Sequence, residues 1–228
     1  MTGTDYRRYL DIHSHDRGDG NDLVVLSLSP GNAAVRGESL KEPFSAGLHP
    51  WYAGNRENDA TDLNILKGLV NRKDLVAIGE AGLDRHTDLS MEYQEEIFTS
   101  QAEIASKAGK PIIIHCVRAF PEIIRLRKKF SKSPPWIIHG FTGNQQVMEQ
   151  LLSHDFYLSF GTAIEDPVKK TIDVLKKVPV NRIFFETDDK SVRVSSVYRA
   201  FSSICQIEHD ILKREIWQNF YDLFGKLE

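Results

Sequence analysis

Apolar and polar positions fall in blocks along this chain. Short apolar runs recur at Tyr9–His13, Leu23–Ser29, Phe44–His49, Leu75–Gly79, Pro111–His115, Trp136–His139, Phe156–Phe160 and Arg182–Glu186, each closed by polar or glycine residues. Several are unbroken, as in Ile112-Ile113-Ile114. A strand covered on both faces has no polar side to alternate with, so such runs predict the buried strands of a parallel sheet. Between the runs the apolar spacing becomes helical. Leu63, Leu66 and Val70 mark a helix over Asp59–Asn71, and Tyr93, Ile97, Ala102, Ile104 and Ala105 mark one over Ser90–Ala108, with Gly109 as its C-terminal cap. Further helices are predicted over Phe120–Phe130, Gln145–Leu152, Asp166–Val178, Ser195–Gln206 and Asp210–Phe224.

Eight strands alternating with helices predict an α/β fold, a (β/α)8 TIM-type barrel. No repeat, linker or low-complexity segment interrupts residues 1–228, which read as a single domain. One region resists the pattern. Only Ser14 to Asp22 join the first two runs, and Pro30 to Pro43 join the next two. A parallel crossover usually takes a dozen residues or more. The expectation is a trimmed N-terminal quarter, in which either the first two helices are lost or Leu23–Ser29 is not a regular barrel strand.

Composition narrows the class without naming a function. Hydrophobic residues make up 41% and charged residues 27% of 228, which excludes a disordered or collagen-like chain. Two cysteines, Cys116 and Cys205, are too few for a disulfide framework and read as reduced, non-catalytic thiols. No apolar run reaches the ~18 residues of a membrane span, and Met1 to Tyr9 lacks a signal-peptide core, so the cytoplasm is the expected location. A net charge of -3 gives no bulk attraction to nucleic acid, although a metal site supplies positive charge locally. No obligatory protein partner is expected.

The eight histidines change the picture by where they fall. His13, His49, His115 and His139 each end a strand-like run, and His15 follows His13 by two residues, a spacing that puts both rings on one face of a strand. Glu80, in Gly79-Glu80-Ala81-Gly82-Leu83-Asp84, and Asp188, after Glu186-Thr187, end two more. In a barrel the C-terminal strand ends share one mouth, so these side chains would converge there. Taken singly, each has a plain reading as a satisfied core histidine, a turn or a helix cap. Taken together, clustered His, Asp and Glu on different strand ends predict a metal site.

At these residues the sequence resembles the TatD family of metal-dependent hydrolases, the TatD-related deoxyribonucleases. The matching pieces are Asp11-Ile12-His13-Ser14-His15, Gly47-Leu48-His49-Pro50, Gly79–Asp84, Ile114-His115, His139-Gly140-Phe141-Thr142-Gly143 and Glu186-Thr187-Asp188, in that order along nearly the whole chain. The resemblance implies an amidohydrolase-like barrel and a two-metal phosphodiesterase, acting as a DNase on DNA ends or single strands, or on a small phosphodiester. It implies two divalent ions (Zn, Mn, Mg or Fe). His13, His15 and Asp188 would hold one, His115 and His139 the other, with Glu80 bridging. Asp188 would also take a proton from the attacking water, and His49 would lie near the substrate phosphate.

Arg118 is a second substrate-contact candidate, but in His115-Cys116-Val117-Arg118-Ala119 it comes one residue later than the family's arginine. Asp189-Lys190 stand where members carry a small residue and proline, and Gly140 where cysteine is common. Trp51 and Tyr52, beside His49-Pro50, are candidates for base stacking, whereas Phe141 reads as core. Two other functions share these ligands: an amidohydrolase-like enzyme cleaving an amide, ester or lactone, and a non-catalytic barrel.

Overall fold

A computed structural model of the protein describes residues 5–18, 20–36 and 42–226. Eight strands form one sheet in sequential order, β1 (Leu10–Ser14), β2 (Leu23–Leu28), β3 (Phe44–Ala46), β4 (Leu75–Asp84), β5 (Ile112–Val117), β6 (Trp136–Ile138), β7 (Phe156–Phe160) and β8 (Ile183–Phe185). Every neighbouring pair is parallel. The last strand returns to the first just beyond its C-terminal end. Asp188 N–H donates to the His13 carbonyl at 2.9 Å and His15 N–H to the Asp188 carbonyl at 3.0 Å, which closes the barrel.

Among the described residues eight helices pack around the strands: α1 (Pro30–Arg36), α2 (Arg56–Leu69), α3 (Met91–Ala108), α4 (Phe120–Lys129), α5 (Gln145–Leu152), α6 (Lys169–Leu175), α7 (Val194–Cys205) and α8 (His209–Phe224). Their ends follow local chemistry. Asn55 caps α2 by accepting from the backbone of Glu57 and Asn58, Ser90 caps α3 by accepting from Tyr93, and Gly109 ends α3 at φ 65, a left-handed turn that glycine enters without steric cost. Because Asn55 supplies its cap, α2 begins three residues before the predicted Asp59. Asp59 lies buried inside it and accepts from Gly54 N–H and the Tyr93 hydroxyl.

The core is continuous. Ile112, Ile113 and Ile114 are fully buried, as unbroken apolar strands require. Helix-borne rings lock onto the barrel: Phe98 of α3 meets Trp136 edge-on at 5.3 Å, and Tyr198 of α7 lies 4.4 Å from Phe185 while its hydroxyl donates to the Leu10 carbonyl. Arg127 is buried at the base of α4, where its guanidinium donates to the carbonyls of Phe130, Ser133 and His154.

The N-terminal quarter is trimmed less than the sequence suggests. β2 is a barrel strand, paired in parallel on both sides with a single register shift against β1 between Asp11 and Ser14, which corrects the alternative that Leu23–Ser29 is not a regular strand of the barrel. Only the β1–β2 connection, residues 15–22, carries no helix among its described residues. Arg8 fastens the end of that connection by donating to the carbonyls of Asn21 and Asp22. The β2–β3 connection keeps α1 as a two-turn helix, so among the described residues only one of the first two connections is without a helix.

The longest correction concerns β4, which runs on through Asp84 instead of stopping at Gly79. Its glycines sit inside a strand, not in a turn. A Cβ on Gly82 would collide with the His115 carbonyl, so β4 and β5 approach more closely here than any side chain permits. His49 and His139, in turn, stand just past the ends of β3 and β6 rather than within them.

Candidate metal centre

Glu80 stands at the centre of the mouth, almost fully buried. Its two carboxylate oxygens face different histidines. Oε2 lies 3.3 Å from His13 Nε2 and 3.5 Å from His15 Nε2. Oε1 lies 2.7 Å from His139 Nε2, 3.0 Å from His115 Nδ1 and 3.1 Å from His49 Nε2. Asp188 joins the first set, with Oδ1 3.5 Å from the Nε2 atoms of both His13 and His15.

The structure thus brings together all six residues proposed from sequence as metal ligands, and His49 with them. One donor of each of His13, His15, Glu80 and Asp188 lies within 4.8 Å of the others, and the same holds for His49, Glu80 and His115. His139 reaches the second group through Glu80 and through His115, whose Nδ1 is 3.4 Å from its Nε2.

The backbone explains the convergence. His13 and His15 share a face at the end of β1, where Asp11 fixes the chain by accepting from His13 N–H and from the Thr187 hydroxyl. Asp188 takes a left-handed φ of 55, uncommon for a residue with a side chain, and is held there by its backbone hydrogen bonds to His13 and His15. Gly140, at φ 56, turns the chain after His139 and donates its N–H to Glu186 Oε1 at 2.6 Å.

Behind the histidines stands a second layer of acids that sequence reading passed over. Asp84 Oδ2 lies 2.9 Å from His115 Nε2, the ring nitrogen opposite Glu80, and also accepts from the Trp51 indole at 2.7 Å. Glu186 Oε1 lies 3.3 Å from His139 Nδ1. Both residues sit in the motifs read from sequence, as the last residue of Gly79–Asp84 and the first of Glu186-Thr187-Asp188. The available signal was general: a metal-binding imidazole usually gives its other nitrogen to a carboxylate or carbonyl.

Charge in this cluster is strongly coupled. Burial alone would raise the Glu80 carboxyl, but the fields of His139 and His13 outweigh it and hold the acid far below the usual carboxylate range. Burial and the neighbouring His139 disfavour the His13 cation, yet attraction to Glu80 and Asp188 lifts it to about 9. His49 moves the other way, lowered chiefly by burial.

These residues suit a divalent cation. Both ring nitrogens of His13 are buried without a hydrogen-bond partner among the described residues, in spite of the carboxylates nearby. A buried polar atom left unpaired is costly, and a metal ion resolves it by taking a lone pair. Imidazole and carboxylate donors in this mixture match Zn, Mn or Fe better than Mg.

The mouth above the cluster is a cavity of about 720 Å³. His15, His49, Glu80, His115, His139 and Asp188 line its floor. Trp51 and Tyr52 stand on its rim, 61% and 78% exposed, so neither is core. Phe141 is buried against Phe120 and Phe160, as its core reading requires. Arg118 is not brought to the site. It is exposed, adopts a left-handed φ of 54 and does not line the cavity; its carbonyl accepts from Arg85. Burial pushes the thiols of Cys116 and Cys205 up to about 12 and 11, in keeping with unreactive cysteines.

The metal-dependent hydrolase YabD of Bacillus subtilis, itself uncharacterized, is 36% identical over 145 residues, 62% of this chain and 56% of YabD. The uncharacterized metal-dependent hydrolase YcfH of Escherichia coli K12 is 31% identical over 172 residues, 73% of this chain and 63% of YcfH. A protein named 3'-5' ssDNA/RNA exonuclease TatD from Enterobacter lignolyticus is 31% identical over 148 residues, 63% of this chain and 56% of that protein. The matched segments therefore span less than two thirds of these relatives. In fold, the crystal structure of the TatD homologue YJJV from Escherichia coli K12 superposes with a TM-score of 0.82 over 97% of this chain and 99% of that one, at 22% identity. The profile of the family described as TatD related DNase matches residues 12–225. That match begins inside β1 and ends just past α8, taking in every residue that faces Glu80, and so the chain belongs to the TatD-related DNase family.

Proposed function

We propose that this protein is a two-metal phosphodiesterase that hydrolyses DNA at ends or in single strands. One observation carries the reading: the two oxygens of Glu80 face separate sets of imidazoles, as a carboxylate shared by two cations must. A pair of divalent ions supplies Lewis acidity toward a phosphoryl oxygen and a bound water of lowered pKa.

The chain's own residues divide the remaining work. His13, His15 and Asp188 would hold one ion and His115 and His139 the other, with Glu80 shared between them. Asp188 is placed for a second role. It is the more exposed of the two central acids, it faces the cavity, and its carboxyl is kept ionised against the effect of burial by His13. It accepts the proton of the attacking water, as a general base must. His49 borders the floor beside Glu80, with burial favouring its neutral form, and orients a phosphate oxygen of the substrate. The relative named as a 3'-5' ssDNA/RNA exonuclease supports nucleic acid as the substrate class.

A neutral amide, ester or lactone is the second reading, favoured by a cavity lining without lysine or arginine among the described residues. A barrel kept only as a scaffold does not account for a buried histidine with two unpartnered nitrogens. The test is hydrolysis by the Mn-loaded protein of a single-stranded oligonucleotide beside a panel of esters and lactones. Nucleotide release that depends on metal supports the phosphodiesterase. Turnover of the panel alone overturns it.

A further inference from the structure

The barrel has a second cavity, at the end opposite the metal centre. It encloses about 680 Å³, within the ~300–1,000 Å³ of pockets that enclose small molecules. Leu23 begins β2, Leu75 and Val76 begin β4, Pro43 and Pro111 immediately precede β3 and β5, and Phe224 ends α8; all six line it. The candidate metal ligands stand at the other ends of the strands, so the two cavities lie on opposite faces of the fold. We propose that this second cavity is a ligand site for a small monocarboxylate with an apolar body, its carboxylate seated on the ammonium of Lys110.

Lys110 lies between α3 and β5, is half-buried and lines the cavity. One of its ammonium protons goes to the Leu75 carbonyl at 2.6 Å, a neutral acceptor, which leaves the others for a ligand. Among the described residues no carboxylate forms an ion pair with it. The field of Asp74 reaches it, but both Asp74 oxygens are taken by Arg72, at 2.9 and 2.5 Å. Burial therefore keeps the ammonium below the ordinary lysine pKa, with Asp74 acting only in part against it. A cation withdrawn from water without a counter-charge is costly, and an anion entering the cavity offsets that cost.

The rest of the lining selects the ligand. Lys226 adds positive charge at the exposed rim, whereas Lys73 already interacts elsewhere in the chain. Glu42, the remaining charged group, opposes a second negative charge, so a carboxylate suits the cavity better than a phosphate dianion. Leu75 and Val76 are buried side chains of the wall and Leu223 and Phe224 pack against the same core, an apolar surface for the body of the ligand.

The test titrates the Zn-loaded full chain with sodium octanoate and follows its leucine and valine methyl resonances by NMR. Octanol serves as the uncharged analogue and inorganic phosphate as the competing anion. Octanoate is expected to shift the methyls of Leu75, Val76 and Leu223, which line this cavity, and to leave those of Leu28 and Leu48, which line the metal mouth. Its Kd is expected in the millimolar range or below. Octanol, and octanoate on Lys110→Met, are expected to bind at least about tenfold more weakly, the cost of one charge-assisted hydrogen bond. Lys110→Arg keeps the charge and is expected to keep binding. Lys226→Glu, which leaves the Leu75 contact untouched, is expected to weaken octanoate several-fold even if Lys110→Met fails to fold. Absence of shifts, or shifts confined to Leu28 and Leu48, overturns the site. Equal binding of octanol, displacement of octanoate by equimolar phosphate, or full affinity in Lys226→Glu overturns its assignment to a monocarboxylate.

Discussion

Asp84 holds His115 from behind: its Oδ2 lies 2.9 Å from Nε2, the ring nitrogen that points away from Glu80. That contact fixes the orientation of the ring and turns Nδ1 toward Glu80 Oε1, 3.0 Å away. A carboxylate in this position tunes a ligand without touching the metal. Asp84→Ala is therefore expected to weaken the ion at His115 and His139 by about 10–100-fold, the usual effect of losing such a partner. The ion at His13 and His15 is expected to keep its affinity. Competition with a graded set of chelators, read for each ion separately, checks this.

Glu80 and Asp188 are expected to fail differently. Glu80→Gln removes the shared anion, so both ions lose affinity, and excess Mn restores part of the activity. Asp188→Asn keeps an oxygen ligand and the size of the side chain but removes the base, so metal and substrate binding survive while kcat falls by about 10²–10⁴. Metal stoichiometry measured beside kcat on a single-stranded oligonucleotide distinguishes the two. Full occupancy in Glu80→Gln or near-normal turnover in Asp188→Asn contradicts these roles.

Arg118→Ala is expected to change kcat/KM by less than about twofold, within the range of neutral surface substitutions. Its side chain is exposed and lies outside the cavity lining. A tenfold loss would return it to the substrate-binding residues.

Here the sequence and the structure part for a definable reason. The candidate site was legible because chemistry at strand ends leaves a mark that survives in one dimension: His13, His49, His115 and His139 each follow an apolar run. The fold was legible from the same runs. Asp84 and Glu186 were not, because an acid at the edge of a motif looks the same whether it caps a helix or orients a ring, and only the closing distances decide. The extent of β4 was hidden for a related reason. Glycines ordinarily mark turns, and the sequence contains nothing to say that Gly82 lies against the His115 carbonyl. Asn55, not Asp59, starts α2, since either residue type caps a helix and the competing duty of Asp59 to Gly54 and Tyr93 is tertiary.

Gly82 yields a prediction of its own. Gly82→Ala would force β4 away from β5 at the residue that presents His115. A loss of at least ~1–3 kcal/mol is expected from overpacking, with weaker binding at the second ion. Thermal unfolding with and without metal measures both. An unchanged Tm would contradict the close approach of the two strands.

The cysteines predict a pH dependence. Burial raises Cys116 to about 12 and Cys205 to about 11, so the folded protein holds few thiolates at pH 8. Alkylation of the native chain is expected to be slow at pH 8 and to rise about tenfold per pH unit above it, because the thiolate is the nucleophile. In denaturant both thiols return to ordinary reactivity. Mass spectrometry of iodoacetamide-treated protein follows each site, and rapid loss of activity on native alkylation without metal release would contradict a non-catalytic Cys116.

Anomalous scattering from Mn-loaded crystals tests the central claim most directly. Two peaks are expected, one on either side of Glu80: the first among His13, His15 and Asp188, the second beside His115 and His139, with each Glu80 oxygen on a different ion. A single peak, or a Glu80 carboxylate bound to one ion only, would contradict the two-metal centre.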